Sequence, residues 1–227
     1  MSRQLEGPRT ALTREQVFST ALALVDAEGV DALTMRRLGK ALDRDPMRLY
    51  RHAESKEALL DGVVERVLSE LRVPAPRDFV PAGDWESALR HVAHAFRGIA
   101  LAHPHVVPLL VTRPLATPLA RRPLGTLRPV EDMLELLVSA GFDLRGALYA
   151  YRLFMGFLLG HVLNELQERL VAPEETDDVL RLGLYRLPAR EFPRLRSLAG
   201  ELAAYDGERE LTEGLDIVLA GLRARAG

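Results

Sequence analysis

The sequence predicts an all-α fold in two parts, and three observations carry that prediction. Apolar residues recur at helical spacing in almost every segment long enough to show a period. Thr, Ser and Asp stand where such segments begin, as N-caps do. The strongest break, Arg72 to Gly83, contains Pro74, Pro76 and Pro81 and separates a short basic part from a larger apolar one.

Whole-chain numbers restrict what the two parts can be. The 227 residues are 48% apolar and 27% charged, with net charge -2 and pI near 6.3. That is a soluble globular composition, able to bury a core. It excludes a protein that coats nucleic acid through overall charge and leaves a local basic face open. The absence of cysteine removes disulfides, thiolate metal sites and cysteine nucleophiles, and fits the cytoplasm. The N-terminus lacks the apolar core of a signal peptide. The one long apolar run, Gly146 to Leu163, contains Arg152 and His161. It reads as a buried or interfacial helix, so no membrane association is expected.

Taken in order, residues 1–12 read as a flexible arm, whose Arg3 and Arg9 are of the kind that enter a minor groove. Residues 13–72 read as a first domain. Thr13 with Gln16 forms a capping box, Val17, Ala21, Leu24 and Val25 follow at helical spacing, and Gly29 ends the helix. Thr34 caps a second helix with Leu38 and Leu42 inward and Arg36, Arg37 and Lys40 outward. After a tight polar turn, Asp45 caps a third helix with Pro46 in its first turn. Met47, Arg48, Arg51 and His52 then project outward, while Leu49 turns in and Tyr50 can do either. Ser55 caps a fourth helix, with Lys56 first and a wide apolar face as far as Leu71. Two short helices joined by a turn give the plan of a helix-turn-helix. The only two lysines of the chain, Lys40 and Lys56, lie in it. Thr34 to Lys56 carries seven Lys or Arg against Asp43, Asp45 and Glu54. Caps, turn, aromatic and charge together point to a DNA reader rather than a merely solvated face.

Thr34-Met-Arg-Arg-Leu, Pro46-Met-Arg-Leu-Tyr-Arg-His and Ser55-Lys-Glu-Ala-Leu-Leu-Asp, preceded by the pattern of residues 21–29, resemble the DNA-binding domain of the tetracycline-repressor (TetR) family. The resemblance covers roughly Thr13 to Asp61. It implies a homodimeric transcriptional regulator, usually a repressor, bound to a palindromic double-stranded operator and released by a small molecule. It also implies DNA contacts at Arg36, Pro46, Met47, Arg48, Tyr50, Arg51 and His52, with Thr34 and Lys56 on phosphates; Arg37 and Arg44 join the candidates by their place in the basic stretch. The chain departs from the family at the turn: Asp43-Arg44-Asp45 stands where Gly-Val-Ser is common. An aspartate that tolerates unusual backbone angles is expected there.

Residues 84–227 read as the ligand-binding and dimerisation domain. Asp84 caps a helix that ends before Pro104. Pro104 to Pro129 is proline-rich and should form only short helical pieces. A helix is expected over Val130 to Ala140, a long one from Asp143 to about Leu170, and an exposed loop over 172–188. A short helix over Phe192 to Leu202 and a last one over Glu208 to Arg225 complete the order. Gly156 and Gly160 would permit close approach of another helix. His103-Pro-His-Val-Val-Pro-Leu-Leu and Tyr151-Arg-Leu-Phe-Met-Gly-Phe resemble, more loosely, the ligand half of the same regulators. This implies a dimeric four-helix bundle from the long and last helices.

A pocket there should be lined by Trp85, His94, Phe96, His103, Arg113, Phe154, Phe157 and His161, for an apolar or aromatic effector. His91, His94, His103 and His105 lack a supporting carboxylate, so no metal and no cofactor is expected. No phosphate loop or nucleophile elbow appears, so the chain does not read as an enzyme. The alternatives are an activator or partner-controlled regulator of the same fold, and a helical small-molecule-binding protein or enzyme with a vestigial helix-turn-helix.

Overall fold

The computed structural model describes residues 12–75, 84–116, 118–171 and 177–225. Residues 1–11, with the Arg3 and Arg9 expectation, and residues 76–83 lie outside it. The helices are α1 (Arg14–Glu28), α2 (Met35–Ala41), α3 (Lys56–Leu68), α4 (Trp85–Ala102), α5 (Val107–Ala116) and α6 (Leu124–Ser139). They continue as α7 (Leu144–Val171), α8 (Asp177–Tyr185), α9 (Pro193–Ser197), α10 (Ala199–Ala203) and α11 (Gly207–Arg223). Short 3₁₀ turns cover Val30–Ala32, Pro46–Arg51 and Leu119–Arg121. No strand occurs among the described residues, in agreement with the all-α expectation.

The chain forms two compact units and visits each twice. One holds the residues up to Arg72 together with Ala102–Val130; the other holds Val73–Leu101 and Glu131–Gly227. Segment Ala102–Val130, grouped by sequence with the larger domain, thus clusters with the first unit.

In the first unit the caps act as read. Thr13 accepts from the Gln16 N–H at 3.1 Å while Gln16 Oε1 accepts from the Thr13 N–H at 3.0 Å. α1 stops at Gly29, whose φ of 81° a side chain would oppose. Val17, Ala21, Val25, Leu33, Leu38, Leu49, Leu59 and Val63 are fully buried. α1 crosses α3 at Gly62, where a Cβ would fall 1.9 Å from the Phe18 ring. α5 packs on α3 through a segment in which Val106, Val107, Leu109 and Leu110 are buried.

The second unit is built on α7. Ala147, Ala150, Phe154, Leu158 and Val162 form its buried stripe. Leu89, Val92 and Phe96 of α4 and Leu211, Leu215, Leu219 and Leu222 of α11 belong to the same core. Asp143 caps α7, its Oδ1 accepting the Gly146 N–H at 2.6 Å. Polar ties link α4 to α11: Arg90 to Asp216 at 2.6 Å and Arg223 Nε to Glu86 at 2.6 Å.

Several elements differ from the sequence reading. The third helix is a 3₁₀ turn rather than an α-helix. The proline-rich stretch forms a ten-residue helix, α5, and α6 begins at Leu124 with Pro129 inside it, not at Val130. Pro129 is the sixth residue of α6, so it removes one backbone hydrogen bond from inside the helix without ending it. The expected loop over 172–188 contains α8, and the expected single helix over Phe192 to Leu202 is two short ones, α9 and α10. Gly156 and Gly160 have nothing within 4 Å of a Cβ position, so they face open space in the monomer.

Candidate nucleic-acid interface

The helix-turn-helix is held by three side-chain caps. Thr34 Oγ1 accepts from the Arg37 N–H at 3.2 Å, Asp45 Oδ1 from the Met47 N–H at 2.8 Å, and Ser55 Oγ from the Ala58 N–H at 3.1 Å. Between the first two lies Asp43 at φ 50°, left-handed without glycine, as an Asp in that place should be. The Pro46 ring closes the turn from the far side: a Cβ on Gly39 would meet its Cγ at 3.1 Å.

On this frame the predicted DNA contacts fall into two groups. Arg36, Lys40, Arg48 and Lys56 are exposed, and none of their side chains has a hydrogen bond or ion pair among the described residues. Met47 is 74% exposed and Tyr50 43%. Pro46 is half-buried at the first position of its turn. The others are already engaged. Both carboxylate oxygens of Glu28 take hydrogen bonds from Arg37. Arg44 Nη1 donates to the carbonyl of Asp43 at 2.9 Å, and Arg51 Nε donates to His52 Nε2 at 3.0 Å. Burial, then the charges of Arg51 and Arg14, hold the His52 imidazole below its ordinary 6.5. Because arginine can only donate, His52 accepts at Nε2 and carries its proton at Nδ1.

The ligand candidates are divided between the two units. His103 and Arg113 belong to the first unit. His103 Nδ1 pairs with Asp26 Oδ2 at 2.8 Å, and His105 Nδ1 donates to the Asp26 carbonyl at 3.1 Å. Arg113 Nε donates to Asp61 Oδ1 at 2.6 Å, which raises its pKa further, chiefly through that hydrogen bond. His94 is exposed on α4. Trp85, Phe96, Phe154, Phe157 and His161 lie in the second unit, with Trp85 edge-on to Phe142 at 5.5 Å and Phe157 stacked on His161 at 6.1 Å. His161 Nε2 is buried with no hydrogen-bond partner among the described residues, and stands 3.8 Å from Glu165 Oε2. A separate cleft of about 380 Å³ is lined by Phe142, Arg145, Tyr149, Leu222 and Arg225 among others, and none of the eight candidates borders it.

The polar groups that sequence reasoning missed are the partners: Asp26, Glu28, Asp61, Arg97 and Glu165. Arg97 donates from Nε and Nη2 to the two Glu165 oxygens at 2.8 and 2.7 Å, with Glu165 3% exposed. These pairs join residues nine to 77 positions apart on different elements, so no spacing within one helix announces them.

Capped helices, an ordered turn and exposed cations define a helix-turn-helix DNA-binding regulator that also carries a second helical unit. Residues 17–63 match the family described as bacterial regulatory proteins, tetR family, and residues 76–226 the tetracyclin repressor-like C-terminal domain. The chain belongs to the TetR family and is a ligand-responsive DNA-binding transcriptional repressor, not an enzyme. It is 32% identical to the class D tetracycline repressor protein of Escherichia coli, over 94% of this chain and 90% of that one. The transcriptional repressor DrrR1 of Streptomyces coeruleorubidus is 25% identical over 99% of this chain and 84% of its own length. Among solved structures, Streptomyces coelicolor ActR in complex with actinorhodin superposes with a TM-score of 0.79 and 33% identity, covering 96% of this chain and all of that one.

Proposed function

We propose that the protein acts as a cytoplasmic homodimer that holds a palindromic operator and leaves it when a small apolar or aromatic molecule binds the second unit. The observation that carries the DNA half is the capped frame that presents Arg36, Lys40, Arg48 and Lys56 without internal partners. Phosphate contacts from such residues supply register and most of the affinity, and base-edge contacts supply specificity. In a two-fold dimer the two readers would occupy successive major grooves about one helical turn apart.

The dimer is supported by an uncovered face on α7. By length and composition, Leu144–Gln167 would pass as a membrane span, yet only 28% of its most apolar window is buried in the monomer. Leu148, Tyr149 and Leu153 are exposed beside Gly156 and Gly160, and Ile217 of α11 is 77% exposed. Glu165, buried and paired with Arg97, suits a soluble core helix better than lipid. A second copy would cover the apolar face as one half of a four-helix bundle.

The effector reading is supported by aromatic side chains of the second unit and by relatives. ActR has been crystallised with actinorhodin, and a TetR variant of Acinetobacter baumannii with minocycline. Here His161 Nε2 is the buried polar group that an effector oxygen would satisfy. Operator selection from random DNA, repeated with a library of polycyclic aromatic metabolites, tests the whole proposal. Enrichment of a palindrome, and its loss on adding one library member, is the expected result. Selection that enriches no sequence would sink the DNA reading, and release by no member would sink the effector class.

A further inference from the structure

The arginines of the reader are unequally available, and that inequality carries information about the operator. Arg37 is taken up by Glu28, Arg44 by the carbonyl of its own turn, and Arg51 by His52. Arg48 is exposed with no partner among the described residues. Its neighbour Met47 is 74% exposed at the same end of the turn. A single exposed methionine is unremarkable on a surface. Placed at the leading end of the element that enters the groove, it becomes the one long apolar side chain available there. The backbone that carries the two residues is fixed on both sides. Asp45 accepts the Met47 N–H at 2.8 Å, and Leu49, next after Arg48, is fully buried.

We propose that Met47 and Arg48 read a thymine methyl and a guanine on neighbouring base pairs of each half-site, while Arg37, Arg44 and Arg51 hold the reader in shape. The inference rests on Pro46–Arg51 entering the major groove and names what it reads there. In that groove the thymine C5-methyl is the apolar feature among polar edges, and guanine O6 and N7 form the acceptor pair that suits a guanidinium fork. Consecutive Cα atoms are about 3.8 Å apart and stacked bases about 3.4 Å, so adjacent residues can serve adjacent pairs. The thioether is flexible enough to lie along a methyl without fixed geometry.

The test uses the full-length protein and the operator recovered by selection. Each thymine is replaced by uracil, which removes only the methyl, and each guanine by 7-deazaguanine, which removes only the N7 acceptor. One uracil position per half-site should weaken wild-type binding about fourfold, the worth of one buried methyl, and leave Met47→Ala binding unchanged. A neighbouring 7-deazaguanine should weaken wild type by about fivefold or more and leave Arg48→Ala unchanged. Both side chains are exposed, and the decisive changes are made in the DNA, so misfolding cannot mimic the result. Equal losses in wild type and variants, or sensitive thymines and guanines that are not neighbours, overturn the assignment while leaving DNA binding intact. A selection that recovers no site overturns the parent reading instead.

Discussion

Asp43 shows how one residue can hold a turn and also tune its charge. At φ 50° a non-glycine residue is strained, though aspartate less than most. Asp43→Gly should therefore leave stability unchanged or raise it by up to about 1 kcal/mol, since relief of strain opposes the entropy that glycine adds to the unfolded chain. It should also strengthen nonspecific DNA binding by removing a carboxylate beside the reader; a thermal melt and a salt titration on random duplex measure the two effects. His52 gives a pH dependence with a definite sign. Its pKa lies below 6.5 in the free protein because of burial and the Arg51 and Arg14 charges. Its contribution to folding is thus present above about pH 6.5 and declines as the pH falls below it. Operator phosphates favour the charged imidazole, so binding should take up a proton and tighten as the pH falls from 7.5 towards 5.5. A His52→Gln operator titration over that range should be flatter than wild type; parallel curves would show that His52 does not titrate on binding.

At the scale of elements, the α1–α3 crossing is the tightest contact in the first unit. Gly62→Ala would gain about 1 kcal/mol of helix propensity. Against that, its Cβ would fall 1.9 Å from the Phe18 ring, and overpacking of a buried site costs about 1–3 kcal/mol. The expected net effect is a loss of up to about 2 kcal/mol, read as a lowered melting temperature; a raised melting temperature would mean the ring moves freely aside. The sequence made this domain legible because its signals are local. Thr13, Thr34, Asp45 and Ser55 each cap within three residues, and Gly29 ends α1 where it stands. It misread α6 because Pro129 was taken as a limit, whereas the helix runs through that proline, its sixth residue, at the loss of one backbone hydrogen bond. α8 was missed because turn-like residues and alternating charge mask a helix of nine residues. The frame that carries the DNA-contact candidates was legible, but which of its arginine side chains are free was not. That depends on Glu28, nine residues from Arg37, and on neighbours turning towards each other. Least legible were the polar partners of the ligand candidates: Asp26 pairs with His103 and Asp61 with Arg113 across 77 and 52 positions.

For the molecule as a whole, the uncovered face of α7 makes a clear prediction about assembly. Nothing lies within 4 Å of a Cβ at Gly160 in the monomer, so Gly160→Arg should leave the fold and its melting transition intact. In a dimer built on that face it should drive the protein to monomer, read by sedimentation at matched concentration, and weaken operator binding by removing the second half-site. A dimer that survives the substitution would place the interface elsewhere. The order in which the chain visits its two units has a further result, on the ribosome. The first unit includes Ala102–Val130, where Arg113 grips Asp61 and the two histidines clasp the end of α1. It cannot close when residue 72 emerges. At ~5–20 residues per second, α3 must wait several seconds for α5, on which it packs, to be made. A fragment ending at Ala75 should therefore stay protease-sensitive although it holds every DNA-contact candidate, and a nascent chain long enough to expose Val130 should be the first to resist cleavage.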